Sequence, residues 1–118
     1  MDPVSLTLAL SFTLTSGLII ALCIPLVRGR VKPNSLYGIR LPQAFKSEDA
    51  WHAINRFGGK CFIAWCLPMF LIGVACFFIP LQHNKALTIA LAFVPLICVI
   101  APGIQAWLFA RRYAAGAS

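Results

Sequence analysis

Three long runs without a charged residue set the first limit on this chain: Val4 to Val27, Cys61 to Leu81 and Leu87 to Ala110. A helix needs ~20 residues to cross the ~30 Å hydrocarbon core of a bilayer, and each run is long enough. Backbone polar groups inside lipid must pair within their own segment, so such runs read as helices. The alternating ~10-residue segments of a membrane barrel do not occur. Of the 118 residues, 60% are hydrophobic and 11% charged. A soluble fold of this size could not bury so large an apolar share. The reading is an all-α membrane protein, one membrane domain whose three transmembrane helices span about 4–27, 61–81 and 87–110.

The first run is not read as a cleaved signal. Met1-Asp2-Pro3 supplies no basic leader, and Arg28-Gly29-Arg30 follows where a small-residue cleavage site would stand. Basic residues then orient the chain. Segment 28–60 holds Arg28, Arg30, Lys32, Arg40, Lys46, Arg56 and Lys60, the tail holds Arg111 and Arg112, and the short turn between the second and third spans holds only Lys85. The positive-inside rule places the N-terminus outside and the 28–60 segment and C-terminus in the cytoplasm, as a multi-pass membrane protein. The net charge of +7 is thus topology signal plus attraction to anionic lipid headgroups. It does not call for nucleic acid, which needs a soluble basic face with aromatic platforms.

Cys23, Cys61, Cys66, Cys76 and Cys98 lie in or at the edge of spans, with no CxxC pair and no Cys/His cluster. They read as small apolar fillers, and neither a metal nor a cofactor is expected. Thr7, Ser11 and Thr15, four residues apart, share a helix stripe and read as a packing face. Pro68, Pro95 and Pro102 lie inside spans that carry no charge, so they shape helices rather than mark an ion path. The six residues from Leu81 to Ala86 make the last two helices antiparallel neighbours.

The 28–60 segment is too long for a plain connection and too varied for disorder. Pro33-Asn34 and Tyr37-Gly38 are turn signals, and the residues before Pro33 and Pro42 are pushed toward extended backbone. An ordered loop on the membrane surface follows. Ser47-Glu48-Asp49 then reads as an N-cap with first-turn acids. The short amphipathic helix it opens has Ala50, Trp51, Ile54 and Phe57 on its apolar stripe and Glu48, His52, Asn55 and Arg56 opposite. Trp51 suits the headgroup level, its body apolar and its N–H wet. Gly58-Gly59 is either a break or a close-packing point before the second span.

The run from Pro33 to Pro42, then Ser47, Trp51, Asn55-Arg56 and Gly59, resembles the signature of the SdpI family of small bacterial membrane proteins. The family pattern is Asn, then Tyr-Gly-x-Arg-Thr-Pro, then Trp-x-x-x-Asn-Arg-x-x-Gly. The match is close over 33–59, and the flanking spans agree in hydropathy only. Leu41 stands where the family has threonine. The resemblance implies Asn34, Tyr37, Gly38, Arg40, Pro42, Trp51, Asn55, Arg56 and Gly59 as the binding motif. It also implies a role in immunity to a secreted toxin, or in signalling that holds a repressor at the membrane.

Read physically, Gly38 frees the backbone and Arg40 offers a donor fork suited to phosphate or carboxylate. Asn55 needs hydrogen-bond partners, for which the loop backbone between Tyr37 and Arg40 is the candidate. Two readings stay open: the motif binds a ligand, or it folds the loop onto the helix. Glu48 and His52, at i and i+4, could pair as acid and base, but a third partner is missing, so no enzyme is expected. The leading reading is a protein that binds a lipid headgroup, a peptide toxin or a regulatory protein through this segment. The alternative is a small transporter or channel subunit, which requires a homo-oligomer.

Overall fold

The computed structural model describes residues 3–34 and 37–117, with side chains to 113. Ser35 and Leu36 of the loop run, and the Met1-Asp2 start, lie outside the described residues. The order is α1 (Pro3–Val27), a 3-10 helix (Pro42–Lys46), α2 (Glu48–Cys76), α3 (Lys85–Ala92) and α4 (Val94–Ala117). Three helical stretches are long and apolar enough to cross a membrane: Pro3–Val27, Glu48–Cys76 and Lys85–Tyr113. The molecule measures 55 × 24 × 19 Å, longer than hydrocarbon is thick, so part of it projects.

The longest element is α2. The amphipathic helix and the second span are one helix of 29 residues, about 43 Å at 1.5 Å per residue. Gly58-Gly59 does not break it. Ser47 opens it as an N-cap, its hydroxyl accepting from Ala50 N at 2.9 Å. Helix α2 ends at Cys76, earlier than the expected span, and Pro80, four residues on, has no N–H for the Cys76 carbonyl. Asn84 caps α3, its Oδ1 accepting from Leu87 N at 3.1 Å. The third span is interrupted at Phe93, between α3 and α4. Pro95 has no N–H for the Leu91 carbonyl, and the Phe93 N–H tightens onto Ala90 O instead. Pro68 and Pro102 are carried inside α2 and α4 without a break in the helix.

Helix α2 is central, packing on α1 along one side and on α4 along the other. The buried residues of α1 are Ser5, Ala9, Phe12, Ser16, Cys23 and Leu26, with half-buried Ile19 filling the one interval. They alternate four and three apart, the 3.5-residue period that keeps one stripe against a partner. Helix α2 answers with Gly59, Cys66 and Gly73, seven apart and all buried. A Cβ on Gly73 would lie 2.7 Å from Thr13 Oγ1 and 2.8 Å from Thr13 N, so the helices nearly touch there. Small residues permit this approach in lipid, where packing rather than water drives association.

The packing face assigned to Thr7, Ser11 and Thr15 is therefore not the one used; all three are exposed. The Thr7 hydroxyl donates to its own helix, to Pro3 O at 2.7 Å, and needs no partner across a contact. Ser5 does cross, donating to the carbonyls of Cys76 and of Ile79, the latter at 2.7 Å.

Candidate functional site

All basic residues but Lys85 gather at one end, where α1 stops, α2 starts and α4 stops. Helix α1 terminates there in two crossed bonds, Arg30 N to Pro25 O at 3.0 Å and Gly29 N to Leu26 O at 3.3 Å. This is the Schellman closure, and its left-handed residue is Gly29, at φ 71°. The Arg56 Nε donates to the terminal Val27 carbonyl at 3.1 Å, a cation where the helix dipole is negative.

The loop then folds back over the start of α2. Asn34 shapes it: its Oδ1 accepts from Tyr37 N at 2.6 Å, and its Nδ2 donates to Lys32 O at 2.8 Å. The Tyr37 hydroxyl reaches α1 and donates to the Leu22 carbonyl. Burial against the helix raises the Tyr37 pKa above its ordinary 10.0, and nearby Cys23 adds to the rise.

The central contact is Asn55, 1% exposed. Its Oδ1 accepts from Ile39 N at 2.6 Å, and its Nδ2 donates to Ile39 O at 3.3 Å and to Trp51 O at 2.9 Å. One side-chain amide thus pairs both peptide groups of Ile39, as a neighbouring strand would. Asn55 lies with the buried residues and not on the polar face, because the loop covers it. Trp51 corrects its expectation too. It is fully buried, and its indole N–H donates to Val31 O at 2.8 Å instead of facing water. Phe45 closes over it with ring centroids 5.4 Å apart.

Glycine makes room for this contact. Gly38 has φ 112°, and a Cβ there would sit 2.9 Å from Asn55 Oδ1 and 3.0 Å from the Trp51 ring. The Ile39 side chain lies where a Cβ on Gly58 would be, with Ala106 of α4 alongside. Gly59 faces α1, where a Cβ would meet Val27 at 3.0 Å and the Cys23 carbonyl at 3.3 Å.

Pro42 opens the 3-10 helix, and Leu41 is its N-cap residue, without a side-chain cap bond. Leu41 instead packs against Ala44, Trp51, Ile54 and Ala110. Arg40, between Ile39 and Leu41, is exposed. Glu48 and His52 stand 3.8 Å apart with the Glu48 side chain 68% exposed, a surface pair worth little.

The structure brings Gly38, Trp51 and Asn55 together directly, with Asn34 and Tyr37 shaping the same loop and Arg56 and Gly59 fixing α2 to α1. Arg40 follows Ile39 in the loop and is exposed. Sequence reasoning missed Gly29, Val31, Ile39 and Leu22. Gly29 carried a signal, a glycine just past a long helical run. The other three accept or donate through backbone atoms, which side-chain identity does not reveal, although the Val31 and Ile39 side chains also pack on the cluster around Trp51.

A profile described as the SdpI/YfhL protein family matches residues 30–103. Neither a curated protein nor a solved structure matches. The matched region covers more than half of the chain, and the chain belongs to the SdpI/YfhL family.

Proposed function

From this membership we propose that the protein is a binding component of the immunity or signalling type, acting at its basic end. The loop is held to α2 at both peptide groups of Ile39, and the next residue, Arg40, is exposed. A fixed backbone sets where the exposed guanidinium stands, and its planar donor fork suits a phosphate or carboxylate. That juxtaposition carries the reading. The basic end faces the cytoplasm of a bacterium, because nine of ten Lys and Arg residues lie there.

The test is a killing assay. A sensitive bacterium expressing wild type or Arg40→Ala at matched membrane levels is challenged with secreted peptide toxins. Protection by wild type that vanishes in Arg40→Ala, with unchanged thermal stability, supports binding at the loop. Equal protection by both removes Arg40 from the site.

A further inference from the structure

Helices α1 and α4 flank α2 and leave a groove between them, directly below the clamped loop. It measures about 310 Å³. Leu22, Cys23 and Leu26 form its α1 wall, Phe62 its floor and Val99 its α4 wall, while Tyr37 closes its upper end. Leu22 and Val99 are 46% and 47% exposed, so the groove opens sideways toward lipid.

We propose that this groove holds one acyl chain of an anionic phospholipid, whose headgroup sits among the basic residues above it. The proposal rests on the preceding reading of the basic end as a binding surface and names its ligand. Size decides against a helical peptide. A helix ~10 Å across has a cross-section of roughly 80 Å², so the groove would hold about 4 Å of it, less than one turn. A single extended hydrocarbon chain is thin enough to enter. Charge decides the headgroup. Arg28 and Arg30 follow directly on the Leu26 wall, and this end carries nine basic side chains against the carboxylates of Glu48 and Asp49. An anionic headgroup at this level gains from that field, and a zwitterionic one does not.

The experiment is native mass spectrometry of the full chain, delipidated in detergent and offered phosphatidylglycerol or phosphatidylcholine with identical chains. Wild type should retain one phosphatidylglycerol at least tenfold better than phosphatidylcholine, and that preference should shrink at 1 M salt, where charges are screened within ~3 Å. Val99→Trp or Leu22→Trp, each filling the groove from an exposed position, should lose the retained lipid. Equal retention of both lipids, undiminished retention in both tryptophan variants, or a co-purified peptide in place of lipid overturns the proposal. If Arg40→Ala abolishes toxin protection while Val99→Trp and Leu22→Trp bind lipid as wild type, the binding function stands and the groove assignment falls.

Discussion

Replacing Asn55 by alanine isolates the contact that docks the loop. Three hydrogen bonds disappear, but only two of them hold the loop, those to Ile39 N at 2.6 Å and Ile39 O at 3.3 Å. The third goes to Trp51 O within the same helix and says nothing about docking. A net hydrogen bond contributes about 0.5–1.5 kcal/mol, so the loop loses about 1–3 kcal/mol of attachment. Ile39 is only half-buried, so water reaches the freed groups and the larger cost of a dry orphan amide does not apply. At about 1.4 kcal/mol per tenfold change, the Ile39 amide should exchange its hydrogen about 5- to 150-fold faster. The assay is hydrogen–deuterium exchange on the protein in lipid nanodiscs, read on peptides covering 37–41. Arg56→Ala is the control. It removes the bond to Val27 O at 3.1 Å, on the α1 side, and should leave Ile39 protected. Unchanged exchange at Ile39 in inserted Asn55→Ala protein would refute the docking role of that amide.

Three further perturbations test other parts of the structure. Gly73→Ala places a Cβ 2.7 Å from Thr13 Oγ1 and should destabilise by about 1–3 kcal/mol, whereas Gly103→Ala meets nothing within 4 Å and should be neutral or stabilise by up to ~1 kcal/mol; unfolding in mixed micelles compares the two. Gly29→Ala forces a side chain into φ 71° at the end of α1 and should cost about 1–2 kcal/mol in the same assay. Tyr37 has a folded pKa above its unfolded value near 10.0, so its contribution is complete below pH 10 and is lost as pH rises from there through the folded value, when the phenolate can no longer donate to Leu22 O. Trp51 fluorescence should report loop loosening in that alkaline window, and Tyr37→Phe should remove the tyrosine-dependent part of the transition.

The spans were legible because lipid leaves a backbone few options: a long uncharged run must be a helix, and three runs gave three spans. The N-cap at Ser47 was legible because side chain and spacing announce it together. The packing face of α1 was not read, because hydroxyl chemistry at Thr7, Ser11 and Thr15 drew attention from the 3.5-residue period through Ser5, Ala9, Phe12 and Ser16. In a membrane helix a hydroxyl can satisfy itself on the carbonyl four residues back, so its presence does not identify the buried side. The continuity of α2 was hidden for a related reason. The pattern changes from amphipathic to wholly apolar near Gly58, which reads as a boundary, yet only the surroundings change there while the helix runs on.

The two readings of the motif separate by residue in the structure. Asn34, Gly38, Trp51, Asn55, Arg56 and Gly59 each make a contact that shapes the loop or fixes α2 to its neighbours, and Tyr37 ties the loop to α1. The side chains of Asn34, Tyr37, Trp51 and Asn55, and the Nε of Arg56, bond backbone groups of this chain. A loop crossing apolar helices has N–H and C=O groups that no strand pairs, and Asn55 and Trp51 supply partners to Ile39 and Val31. Leu41 supports this division. It occupies the N-cap of the 3-10 helix without a side-chain cap bond. Here the apolar cluster with Trp51, Ile54 and Ala110 takes over, and the turn keeps its backbone bond from Ala44 N to Leu41 O at 2.9 Å. A position that packs on the cluster and forms the turn serves the fold. Arg40 lies between this residue and the clamped Ile39, exposed where its neighbours are partly covered. Arg40 and Arg56 both remain exposed, and Arg56 is committed through its Nε to the Val27 carbonyl, so substituting Arg40 is the change that tests function at the loop.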